Sequence, residues 1–104
     1  MIPIYISASN LIEISGLKDA SNGNYVNTAT VTFTLKNSGN SVVSGASAVS
    51  MTYVAASNGK YQGTLPNTVS LTEGAKYWLE ITSTYNTLVG FRRVQCYATY
   101  RGAT

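Results

Sequence analysis

Apolar and polar residues alternate with a period of two along most of the chain, which is the pattern of strands that bury one face. In residues 29–36, Val31, Phe33 and Leu35 fall on one side and Thr30, Thr32 and Thr34 on the other. In residues 48–54, Val49, Met51 and Tyr53 alternate with Ser50 and Thr52. In residues 75–82, Tyr77, Leu79 and Ile81 alternate with Lys76, Trp78, Glu80 and Thr82. In residues 91–101, Val94, Cys96 and Ala98 form the expected inner face, with Gln95, Tyr97 and Thr99 outside. Shorter strands are expected at 10–15, at 41–44 as an edge strand, and at 61–65. No segment has helical spacing: even the Ala-rich stretch 46–56 carries Ser, Val and Thr, which suit a pleated surface.

Turn formers separate these runs, at 21–24, 37–40, 57–59 and 73–74. Asn-Gly reaches positive φ at low cost, so Asn58-Gly59 predicts a hairpin between the strands on either side. Short strands punctuated in this way indicate a sandwich or a small barrel. The stretch Leu71-Thr72-Glu73-Gly74-Ala75-Lys76-Tyr77 narrows the choice. In Greek-key sandwiches a Tyr just inside a strand folds its hydroxyl back to the backbone a few residues upstream. The expectation is an all-β fold, an immunoglobulin-like antiparallel β-sandwich of about seven strands.

The 104 residues suit one domain, placed at 10–104. Residues 1–9 read as an extended N-terminal segment or arm. Ile2, Ile4 and Ile6 alternate there with Pro3 and Tyr5, a stripe that could pair with its own sheet or add a strand to a neighbour.

Composition changes the picture in two ways. Charged residues are 11% of the chain, less than half the usual ~25%. That suits either a neutral Thr-rich β-protein or a protein packed against copies of itself, since interfaces are poor in Lys and Glu and rich in Tyr and Trp. The chemistry-bearing inventory is also thin. With no His, the usual general base and the Ser-His-Asp or Cys-His arrangements are absent from this chain. The four carboxylates, Glu13, Asp19, Glu73 and Glu80, form no metal-binding or EF-hand spacing. Glu13 has no evident partner, and Glu80 is expected in solvent near Lys76. No phosphate-binding Gly-rich loop occurs. The expectation is a protein that is not an enzyme and takes no cofactor and no metal. The single Cys96 permits no intrachain disulfide and reads as a packing residue. The net charge of +3 owes its excess to Arg92, Arg93 and Arg101 near the C-terminus, without a Lys/Arg-rich run, so nucleic acid is not expected as a partner. The N-terminus lacks signal-peptide features, and no apolar stretch is long enough to span a membrane. Synthesis and folding in a cytoplasm follow as the expectation.

Three features exceed the needs of a core. Trp78 lies outward if Tyr77, Leu79 and Ile81 lie inward, beside Lys76 and Glu80. The inverted register would bury it. The C-terminal strand interleaves Phe91, Arg92, Arg93, Tyr97, Tyr100 and Arg101. It reads either as an interface or as an edge strand protected by its arginines. The third is the Ile2, Ile4, Ile6 stripe. Together Ile2, Ile4, Ile6, Trp78, Arg92, Arg93, Tyr97, Tyr100 and Arg101 form the candidate interface.

The segments NLIEISGLKDA at 10–20, GNYVNTATVT at 23–32, MTYVAASNGKYQGTLP at 51–66 and LTEGAKYWLEI at 71–81 resemble small proteins encoded among the virion genes of tailed bacteriophages. The resemblance spans roughly residues 10 to 95 and includes no catalytic residues. It implies an immunoglobulin-like virion component, assembled in the host cytoplasm, that decorates or cements the capsid or sits at the head–tail junction. Its partners would be other virion proteins, with homo-oligomerisation open and no membrane involved. A carbohydrate- or surface-binding β-sandwich module of a tail or secreted protein is the alternative, with Trp78 and nearby Tyr stacking on sugar rings.

Overall fold

A computed structural model describes residues 2–19, 22–86 and 88–100, Leu88 by its backbone alone. It is all-β, with seven strands: β1 (Ile2–Tyr5), β2 (Asn10–Ile14), β3 (Thr30–Asn37), β4 (Val49–Tyr53), β5 (Tyr61–Leu65), β6 (Lys76–Tyr85) and β7 (Leu88–Thr99). They form one mixed sheet in the order β1-β7-β6-β3-β4-β5-β2. β4 is the corner. Its Val49, Ser50 and Met51 pair with β3, while Thr52 and Tyr53 pair with β5 on the other side. The sheet therefore turns at β4 and brings β5 and β2 back over β3 and β6, giving a nearly closed, barrel-like layout.

The count of seven matches the sequence expectation, but two members differ. Residues 41–44 do not form a strand. Asn40 and Gly45 adopt positive φ on either side, which leaves only the isolated bridge between Lys36 and Val42. The seventh strand is β1, which pairs with β7 over the register Ile2↔Cys96 to Tyr5↔Thr99. That pair is parallel, so the sheet is mixed where an antiparallel one was expected. The connection after β1 is tightly held. Ser7 takes a positive φ of 54°, and the buried Asn10 holds the turn. Its Oδ1 accepts from the Tyr5 N–H at 2.8 Å, and its Nδ2 donates to the Tyr5 and Ala8 carbonyls. Three hydrogen bonds on one amide satisfy a polar side chain that burial would otherwise penalise.

The core draws on both layers. Phe33, Leu35, Leu79, Ile81, Cys96, Ala98 and Ile4 line one side, and Ile12, Met51, Tyr61 and Leu65 the other, all in one cluster. Every β6 residue expected inward is buried: Tyr77, Leu79 and Ile81. A Cβ on Gly63 of β5 would lie 3.0 Å from both the Phe33 ring and the Met51 side chain, so glycine there lets the two layers close. The Tyr77 hydroxyl accepts a hydrogen bond from the Thr72 N–H at 2.9 Å. This is the corner staple that the LTEGAKY stretch predicts, fastening the loop before β6.

A second tyrosine does more of the same work. The Tyr61 ring is 1% exposed. Its hydroxyl donates to the Val26 carbonyl at 2.8 Å and accepts from the Ala29 N–H at 3.1 Å. It thereby ties the long β2–β3 connection to the core. Gly59 secures that connection from the other side. Its φ is +67°, and a Cβ there would sit 2.6 Å from the Leu17 backbone. The hairpin carrying Asn58-Gly59 forms as expected, though its loop runs from Val54 to Lys60.

Candidate functional site

The side chains of β7 divide by parity. Val94, Cys96 and Ala98 face inward or partly so, and Val89, Phe91, Arg93, Gln95 and Tyr97 lie on the outer face. That face continues across β6 through Trp78 and Glu80 and across β3 through Thr34 and Lys36, which are register neighbours. Trp78 points outward, opposite to Tyr77. It is only half-exposed, because the Arg93 guanidinium lies over its ring at 4.1 Å from the centroid.

Glu80 organises this patch. Its carboxylate pairs with Lys36 Nζ at 3.0 Å and with Arg93 Nε at 3.1 Å, and its side chain is 13% exposed. Arg93 also donates from Nη2 to the Asn40 Oδ1 at 2.8 Å. Glu80 therefore reaches the strands on either side of it, a correction to its expected place near Lys76. Single pairs of this kind are worth about 0–1 kcal/mol and the cation–π contact about 0.5–1 kcal/mol. Their joint effect is to hold Arg93 and Trp78 in one orientation. Glu13, expected without a partner, pairs with Lys60, just before β5, at 3.5 Å and accepts from Gln62 across the β2–β5 pair at 2.7 Å.

The remaining candidates separate. Ile4 and Ile6 are core residues, 1% and 8% exposed. Parallel pairing of β1 turns that side of the stripe inward, which corrects their place in the candidate interface. Ile2 stays exposed, as do Tyr97 and Tyr100. Arg101 lies outside the described residues. Arg92 is exposed on the opposite side of β7 from Arg93 and borders a groove between the β6–β7 hairpin and residues 14–19. Two adjoining hollows of about 310 Å³ each make up that groove, and both are lined by Leu17, Lys18, Ser83 and Gly90.

Two exposed residues escaped sequence reasoning in part. Val89 and Phe91 are 68% and 63% exposed, among the most exposed large apolar side chains described, with Leu11 of β2 also at 63%. The signal was available in the alternation itself: both share the parity of Gln95 and Tyr97. Leu88 and Val89, however, fell outside the expected strand, whose start at residue 91 missed three residues of β7.

Among the described residues no three of Cys, Asp or Glu gather as a metal site. Burial pushes the Cys96 thiol up from 9.0 to about 11, although a backbone contact at Leu79 pulls the other way. A thiol so placed stays protonated at neutral pH and is a poor nucleophile. What the surface does offer is an apolar and arginine-bearing strip along β7, at the margin of the sheet. Searches against protein-family models, curated proteins and solved structures find no match for this chain.

Proposed function

We propose that this protein is a non-enzymatic structural component of a tailed-bacteriophage particle, binding a capsid or head–tail lattice through the β7 side of its sheet. The observation that carries the binding role is the exposure of Val89, Phe91 and Tyr97 along one strand, with Tyr100 just past its end, in a chain with few charges to keep such a surface solvated. Aromatic and arginine side chains concentrate binding energy when a partner excludes water from them. The virion assignment rests on the sequence resemblance and the low charge.

The sugar-binding alternative is weaker on geometry. Stacking on a sugar needs an open aromatic face, and the Arg93 guanidinium covers one face of Trp78. The deciding experiment is mass spectrometry of purified particles produced from the genome that encodes the chain. The expected result is this protein at a stoichiometry matching a capsid or neck position. Its absence from intact particles would refute the assignment.

A further inference from the structure

β7 is the longest strand, and its outer margin is covered over only part of its length. β6 pairs with it from Leu88 to Tyr97, whereas β1 covers only Cys96 to Thr99. Among the described residues no strand lies against residues 88–95 on that side. The backbone direction is set by two hydrogen bonds. The Ala98 N–H donates to the Ala75 carbonyl on the β6 side, and the Ile6 N–H donates to the Thr99 carbonyl on the other. Since direction alternates along a strand, Val89, Phe91 and Arg93 aim their N–H and C=O groups at the open margin. Residues 88–95 contain no Pro, no Lys and no bulge; the one protection of the kind edges carry is the charge of Arg92 and Arg93, which a register centred on Phe91 keeps from facing itself.

We infer that this open margin of β7 pairs antiparallel with the same margin of a second copy, about a two-fold axis at Phe91. Self-pairing is favoured by what the registers centred on Phe91, Arg92 and Arg93 would oppose; one centred on Gly90 would instead place two glycines, with no side chain to pack, at the axis. Antiparallel pairing sets outward-aimed residues against each other. An axis at Arg92 would set the two Arg92 side chains face to face, and an axis at Arg93 would do so for Arg93. Like charges directly opposite are destabilising. An axis at Phe91 sets Phe91 against Phe91, an aromatic pair of the kind that stabilises sheets. It sets Val89 against Arg93 of the second copy. It also sets Arg92 against Gly90 of the second copy, where no side chain competes for the space. The start of β1 opposite Cys96 closes the slot at one end, so the paired segment is confined to residues 88–94. Pairing would cover Val89 and Phe91, two of the three most exposed large apolar side chains among the described residues. The inference concerns the isolated chain and stands apart from the virion assignment.

The test is sedimentation equilibrium of the purified protein over a wide concentration range, with cysteine cross-linking to read the register. The expected result is a monomer–dimer equilibrium whose dissociation constant rises at least about tenfold, ~1.4 kcal/mol, in Phe91→Lys. Circular dichroism of that variant should be unchanged, because Phe91 is exposed. Under mild oxidation Phe91→Cys should form a disulfide-linked dimer and Val89→Cys should not, while a mixture of Val89→Cys and Arg93→Cys should. Cys96 is buried and serves as the internal control. A monomer at every concentration overturns the inference. So does a dimer indifferent to Phe91→Lys, or a Val89→Cys dimer formed as readily as the Phe91→Cys one. A monomer that instead takes up an added peptide of residues 2–7 assigns the slot to a different strand and also overturns it.

Discussion

Removing the Tyr61 hydroxyl with Tyr61→Phe tests whether the long β2–β3 connection is held by one buried oxygen. The change keeps the ring, so packing against Tyr53, whose centroid lies 5.7 Å away, is retained. It deletes a donor to the Val26 carbonyl and an acceptor for the Ala29 N–H. A buried backbone group left without a partner costs about 1–3 kcal/mol. The Val26 contact is buried and the Ala29 contact part-buried, so the second is placed at the low end. The expected loss is about 2–3 kcal/mol. With an m-value of about 1.5 kcal/mol per molar in urea, the unfolding midpoint should fall by roughly 1.3–2 M. The slope should stay constant, since the surface exposed on unfolding is the same. Equilibrium urea unfolding followed by tryptophan fluorescence provides the readout. A loss below about 0.5 kcal/mol at unchanged slope would falsify the reasoning, because it would mean water replaces the hydroxyl at both backbone groups.

Other substitutions probe neighbouring features by the same assay. Tyr77→Phe removes one part-buried bond, to the Thr72 N–H, and should cost about 1 kcal/mol, clearly less than Tyr61→Phe. Gly59→Ala should cost more than about 2 kcal/mol, because it adds left-handed strain to a Cβ placed 2.6 Å from the Leu17 backbone. An effect below 1 kcal/mol there would show that residues 16–18 shift freely. Cys96 gives a pH signature. Its thiol titrates at about 11 when folded against 9.0 ordinarily, so the unfolded chain loses this proton first and stability falls as pH rises from about 9 to 11. Below pH 9 both states hold the proton and the group is silent. The wild-type protein should therefore lose more stability across that window than Cys96→Ala, and parallel pH profiles would contradict the assignment.

Much of the architecture was legible because strand patterning is local. A period of two in 29–36, 48–54 and 75–82 names both the element and its buried face, since side chains alternate along any strand. The Tyr77 corner was legible for a similar reason: its bond spans five residues. Tyr61 shows the limit. Its partners Val26 and Ala29 lie 35 and 32 residues away, and nothing around Tyr61 in the chain distinguishes it from the other tyrosines. Asn10 differs: its partners lie only five and two residues away, and what the chain alone did not reveal is that its amide is buried. Residues 41–44 show the opposite failure. Their composition suits a strand, but positive φ on either side leaves too little extended chain to pair.

The candidate surface divides along the same line. The sequence by itself determined that the protein is all-β, which residues face inward on β3 and β6, and that Arg and aromatic side chains concentrate on the last strand. Those follow from alternation and composition, which need no knowledge of neighbours. The tertiary structure decided which of those side chains are free. Ile4 and Ile6 entered the core once β1 docked parallel to β7. Trp78 faced outward as its alternation predicts, yet Arg93, paired with Glu80, lies over its ring. Phe91 and Val89 were left on an open margin because β1 is too short to cover all of β7. Pairing partners and strand lengths across a sheet are set by the whole core at once, so exposure at its edge is written in the assembled fold and in no single segment of the chain.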